Sequence, residues 1–181
     1  MPEKVFTLRG VHMPIKEILL LGNPKLYHVS AEVKKGELQQ MNPVVQDLHD
    51  TMMDFKQKYG AGRAIAAPQI GVMKRLIYQY ITEPVVYINP VLEFVGDDII
   101  EVWDDCMSFP DLFCKVKRYQ KCSVTYRDLN WVKHTVTYQD DLSELLQHEY
   151  DHLDGILAVA RAVDGKSFCL RSQKHFIARK E

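Results

Sequence analysis

The sequence predicts an α+β fold: antiparallel β-sheets packed around a central helix that carries the pattern H-E-x-x-H. Three observations lead there. Strand-like runs crowd the middle of the chain, an amphipathic helix precedes them, and a second helical pattern follows; strands in runs with helices before and after argue against alternating βαβ units. The second helix contains Gln147-His148-Glu149-Tyr150-Asp151-His152. On a helix, residues i and i+4 lie one turn apart on one face, so His148 and His152 can point at one metal ion, with Glu149 beside them to handle protons.

Taken in order, Met1 to His12 reads as an irregular leader. Ile18 to Leu21 reads as a short buried strand closed by the Gly22-Asn23-Pro24 turn signal. Asn42-Pro43 reads as an N-cap followed by proline at the first helical position. Val45, Leu48, Met52 and Phe55 then recur at helical spacing, with Asp47, Asp50, Lys56 and Lys58 on the other side and Gly60 as the stop. This predicts a helix of roughly 17 residues. Arg75 to Ile81, Val85 to Ile88 and Val91 to Val95 are expected strands, and Gly96-Asp97-Asp98 a tight turn. The runs from Cys122 and from Val132 alternate polar and apolar residues around Asp128-Leu129-Asn130, the pattern of an antiparallel hairpin. Asp140-Asp141 stands where the motif helix needs an N-cap; Leu142, Leu145, Leu146, Leu153 and Ile156 supply its apolar face. Phe168 to Lys180 is a mixed basic segment able to form a terminal helix, and reads more readily as a solvated surface helix or frayed tail than as a partner site.

With 181 residues the chain is expected to form one domain over 1–181, long enough to bury a core without staples. A net charge of −1 gives no global field to recruit nucleic acid or an acidic membrane, and no direct nucleic-acid motif is present. No apolar run approaches the ~18 residues of a membrane span. Cys106, Cys114, Cys122 and Cys169 contain no C-x-x-C pair and follow no secretion signal, so they read as reduced thiols of a cytosol-like compartment.

A catalytic metal site takes three protein ligands and keeps one position open. Downstream of the motif helix only His175 and Glu181 offer a third, as a zinc-protease arrangement would want. Upstream the candidate is Cys106, in Trp103-Asp104-Asp105-Cys106-Met107-Ser108. A lone cysteine is more often a core filler, but the flanking Asp pair and Ser108 are unusually polar for core. A third stretch, Gly60-Ala61-Gly62-Arg63-Ala64-Ile65-Ala66-Ala67-Pro68-Gln69, is neither a dinucleotide fingerprint nor a phosphate loop. Its small residues suit close approach of another backbone, such as an extended peptide.

Together these three stretches resemble the peptide deformylases, whose motifs are a glycine-rich run ending Ala-Ala-x-Gln, then Glu-Gly-Cys-Leu-Ser, then Gln-His-Glu-x-Asp-His. They occur here in that order, and weaker likenesses at Gly22 to Leu26 and Ile88 to Leu92 extend the match over nearly the whole chain. The resemblance implies Cys106, His148 and His152 as ligands of Fe2+, with Zn2+, Ni2+ or Co2+ as alternatives. It implies Glu149 as the proton carrier, and Gln69 and the Met107 N–H as holders of the developing oxyanion. Gly62, Arg63, Ala64, Ile65, Asp105, Asp141 and Glu144 fall at substrate-binding positions, and Asp104 with Arg118 at a supporting ion pair. The implied reaction is removal of an N-formyl group from formyl-methionine on newly made polypeptides. It would proceed with transient ribosome contact, in a bacterial-type cytoplasm or an organelle matrix and not in a secreted protein.

The departures are Arg63 for an aliphatic residue, Ala64 and Asp105 for glycines, and Asp104 for glutamate. Asp141 and Glu144, on the face of the histidines, suit a methionine side chain poorly unless a base such as Arg63 pairs with them. Hence the alternatives: the same chemistry on a different small N-formyl substrate, or a catalytically silent metal-binding relative.

Overall fold

Apolar residues at helical spacing do fold as a helix, and it begins earlier than the Asn-Pro signal suggests. In the computed structural model, which describes residues 15–177, α1 spans Leu38–Tyr59. Asn42 is therefore not its N-cap, and Pro43 sits inside the helix. Proline there removes one hydrogen bond to the carbonyl of Gln39. Both residues are exposed, so water can take that carbonyl. Val45, Leu48, Met52 and Phe55 are all buried as expected. Asp47 is buried too, against expectation, and meets Lys16 Nζ at 3.5 Å. Gly60 ends the helix at φ 68°, a conformation that favours glycine.

The β-rich middle forms two antiparallel sheets. One contains β1 (Ala64–Ala66), β2 (Leu76–Tyr80), β3 (Pro84–Phe94), β6 (Lys121–Arg127) and β7 (Lys133–Gln139), in the order β1-β2-β3-β6-β7. The other contains β4 (Ile99–Asp105), β5 (Leu112–Tyr119) and β8 (Phe168–Leu170), in the order β4-β5-β8. The two strands expected on either side of Asn89-Pro90 are one strand with a register shift between Ile88 and Val91, where Asn89 takes φ 47°. The hairpin of β6 and β7 pairs Val124 with Val136, as the alternation predicts.

Two expectations fail. Ile18 to Leu21 lies outside both sheets, with Leu20 and Leu21 exposed. Its backbone N–H groups are used singly instead: Leu19 donates to Gln69 O and Leu21 to Ser108 O, both at 2.8 Å, tying the loops that carry Gln69 and Ser108 together. The basic C-terminal segment is not a continuous helix; Phe168–Leu170 pairs with β5 and Arg171–Phe176 forms a 3-10 helix. A distant strand edge took residues that local composition left undecided. The expected leader over Met1 to His12, and residues 178–181, lie outside the described residues.

α2 (Asp141–Leu153) lies against β1 and β7 of the first sheet and β5 of the second. Leu146 and Leu153 enter the core with Ile77, Tyr87 and Val124. Leu145 is buried as well, while Leu142 is only half-buried and Ile156 falls beyond the helix end. Gly155 follows at φ 71°, where a β-carbon would come within 2.5 Å of Tyr27 O, so only glycine lets the two backbones touch.

Candidate active site

α2 carries the densest set of buried polar groups: Gln147, His148, Glu149, Asp151 and His152 all lie inside the protein. Each must be partnered or functional, because an unpaired buried polar group is costly. Gln147 is structural. Its amide donates to Tyr119 O at 2.7 Å and accepts from Tyr119 N at 3.0 Å, fixing α2 to the end of β5. Asp140 occupies the cap position of α2 at φ 54° but does not cap with its side chain, which accepts from Gln120 Nε2.

Cys106 follows directly on β4, in a turn closed by the Phe109 N–H on its carbonyl at 3.0 Å. Its sulfur reaches His152 Nε2 at 3.2 Å, and His152 Nε2 lies 3.2 Å from His148 Nε2. The three ligand atoms fall within 4.8 Å of one another, and all three residues are buried. Ligands at the usual zinc distances around a tetrahedral ion would stand on the order of 3.5 Å apart. One sulfur and two imidazole nitrogens at this spacing fit a divalent transition metal. His175 is not part of the group.

The groups around the triad set its protonation. Asp104 accepts from His148 Nδ1 at 2.8 Å, leaving Nε2 to face His152 and Cys106. Burial alone would raise the Asp104 carboxyl, but His148 and Arg118 outweigh it and hold it down to about 2. Burial pulls His148 down, and Asp104 and Cys106 more than reverse this. Burial and the neighbouring His148 push His152 well down, towards the neutral form that ligates. Arg118 bridges Asp104 at 2.8 Å and Asp151 at 2.6 Å, and Arg161 grips Asp151 with two hydrogen bonds of 2.6 Å. A continuous chain thus runs from Arg161 at the surface to His148. The Asp104–Arg118 pair matches the sequence expectation; Asp151 and Arg161 were missed as parts of it. His152 Nδ1 has no protein partner among the described residues.

A pocket of about 410 Å³ opens beside the triad, between β1 and β4, the edge strands of the two sheets. Glu149 lines it. Burial pushes its carboxyl up to about 7, and its Oε2 has no partner among the described residues. The Gln69 side chain is fully inside; its oxygen accepts from the Ala66 N–H at 2.9 Å, and its nitrogen points at Cys106 Sγ and Ser108 Oγ, 3.5 and 3.3 Å away. The Met107 N–H has no acceptor among the described residues.

Of the expected substrate-binding residues, Gly62, Arg63, Ala64, Asp105, Asp141 and Glu144 line this pocket. Ile65 does not: its side chain is wholly buried in the core with Val45 and Leu48. Gly62 takes φ 131°, and a β-carbon there would crowd Met107 Cε at 3.3 Å. Asp105 does not need a positive φ; it lies extended in β4, and its carboxylate pairs with Arg171 at 3.0 Å. Arg63 forms an ion pair with Asp141 at the rim and lies 3.5 Å from Glu144 deeper in. Burial pushes Glu144 up to about 7, against the pull of Arg63. Leu145 and Trp103 also line the pocket and were not anticipated; Leu145 was legible, since it falls one turn before Glu149.

The sequence model of the polypeptide deformylase family matches residues 15–167. Peptide deformylase 1 of Prochlorococcus marinus (strain MIT 9313) is 38% identical over 172 residues, covering 86% of this chain and 85% of that protein. A peptide deformylase of Leptospira biflexa is 32% identical over 170 residues, covering 86% and 92%. Among solved structures, a peptide deformylase of Synechococcus elongatus in complex with actinonin superposes with a TM-score of 0.76 at 28% identity, over 88% of this chain and 85% of that one. The Thermotoga maritima peptide deformylase shares the fold, with a TM-score of 0.77 at 24% identity over 84% and 100%. On this match across most of its length, the chain belongs to the polypeptide deformylase family.

Proposed function

We propose that this protein, as a single catalytic domain over residues 1–181, removes the N-formyl group from newly made polypeptides, using Cys106, His148 and His152 to hold Fe2+. The observation that carries this reading is the convergence of one thiol, two imidazoles and an unpartnered carboxylate oxygen on one pocket. Zn2+, Ni2+ or Co2+ suit the same donors. A metal bound there supplies Lewis acidity and acidifies a water.

The chain's own residues do the rest. Arg63 O accepts from Tyr80 N, so antiparallel alternation turns the N–H and C=O of Ala64 away from β2 and towards the pocket. A substrate backbone can add to that open edge of β1. The Gln69 amide and the Met107 N–H then serve as donors to the oxygen of the formyl group as it gains charge. Glu149 accepts a proton at Oε2 from the attacking water and returns it to the departing amine, so that one carboxylate serves both halves of the reaction. The C–N bond of the formamide breaks, releasing formate and a free N-terminus.

Removing metal with a chelator should abolish formate release from formyl-Met-Ala, and added divalent metal should restore it. Undiminished release by the metal-free protein would overturn this reading.

A further inference from the structure

Successive turns of α2 carry Glu149 and His148, then Leu145 and Glu144, then Asp141, along one wall of the pocket. A turn rises about 5.4 Å, roughly the distance from a formyl carbon to the middle of the first side chain of the molecule that carries it. A side chain that runs from the formyl nitrogen along α2 would therefore meet Leu145 and Glu144. Leu145 and the Met107 side chain are apolar; Glu144 is not, and only 8% of it is exposed.

Charge along this wall does not balance. Asp104 is matched by Arg118, and Asp105 by Arg171. Arg63, by contrast, is one guanidinium for two carboxylates, and Lys56, the other cation lining this pocket, pairs with neither of them among the described residues. Arg63 is committed to Asp141 at the rim and reaches Glu144 only at 3.5 Å, without a hydrogen bond among the described residues. A buried carboxylate with one long ion pair retains acceptor capacity that a donor group entering the pocket would fill. Asp141 and Glu144 both belong to the acidic first turn of α2 and complement the helix dipole, but Asp141 is largely exposed whereas Glu144 is buried. The dipole favours a carboxylate in that turn but does not require that it be buried against the pocket, as Glu144 is.

Resting on the deformylase reading, we propose that Glu144 makes this pocket selective for N-formyl compounds whose first side chain has an apolar stem and ends in an amine or guanidinium. The stem lies on Leu145 and Met107, as long basic side chains commonly do on apolar surface, and the cationic head meets Glu144. The reaction is unchanged: water adds its oxygen to the formyl carbon, the C–N bond breaks, and formate and the amine leave.

The test is formate release by the metal-loaded protein from formyl-Lys-Ala-Ser, formyl-Met-Ala-Ser and formyl-Glu-Ala-Ser. The expected order of kcat/KM is Lys, then Met, then Glu, with Lys ahead of Met on the order of tenfold, the scale of a charge-assisted hydrogen bond. Glu144→Leu should invert the Lys and Met order; Glu144→Gln, which keeps the shape, should reduce the Lys advantage without destroying the pocket. Met ahead of Lys in the unaltered protein, or a Lys-to-Met ratio untouched by both variants, would overturn the selectivity while leaving the deformylase reading intact. Formate from none of the three peptides would overturn both.

Discussion

On the metal side of the pocket, Asp104, Arg118, Asp151 and Arg161 form a chain in which each charge meets an opposite one at 2.6–2.8 Å, and the first three are buried. Across the pocket, Arg63 faces Asp141 and Glu144 together, half in solvent, and pairs closely with only the first. Apart from the Arg118 Nε–H, which has no partner among the described residues, the first arrangement is paired throughout and holds His148 still. The second has acceptor capacity to offer. Closely paired buried charges suit a place where a ligand must be held still; incompletely paired groups suit a place where something arrives and leaves.

That contrast can be broken in several places. The largest effect should come from Glu149→Gln, which keeps the shape but cannot carry the proton. It should lose about 10²–10⁴-fold in turnover while metal content per chain stays at the unaltered level. Arg118→Met should come next, leaving Asp104 and Asp151 without their shared partner. A loss of about 3–5 kcal/mol in a denaturant titration is expected, and an unchanged midpoint would show that the chain is not structural. Asp104→Asn should weaken metal binding by about 10–100-fold, since it loosens the group that orients His148; competition with a chelator reads this without reference to activity. The smallest effect belongs to Asp141→Asn. Its carboxylate is largely exposed, so stability should change by less than about 1 kcal/mol, and a larger loss would mean that the rim pair is as structural as the buried chain.

The sequence was uneven in what it made visible, for physical reasons. His148, Glu149 and His152 are local: helical period alone sets them on one face. The polar company of Cys106 at the end of β4 made it only a candidate, and the resemblance of the three motifs made it the third ligand; the pairing of Arg63 with Asp141 and Glu144 was legible through the awkwardness of two carboxylates facing one pocket. Arg161 was not legible, because its role depends on Asp151 turning away from the triad towards a residue ten positions on. Arg171 was hidden for a similar reason. It reaches Asp105 from beyond β8, and β8 exists only because β5 offers a strand edge. Where the reading of α1 failed, the Asn-Pro signal was obeyed locally, although exposed Gln39 can give its unbonded carbonyl to water.

The most direct test of the account is X-ray absorption at the metal edge of the loaded protein. It should show one sulfur at about 2.3 Å and two imidazole nitrogens at about 2.0–2.1 Å if zinc is used, with the sulfur lost in Cys106→Ser. A metal shell without sulfur, or one unchanged by Cys106→Ser, would contradict the assignment of Cys106, His148 and His152 on which the catalytic reading depends.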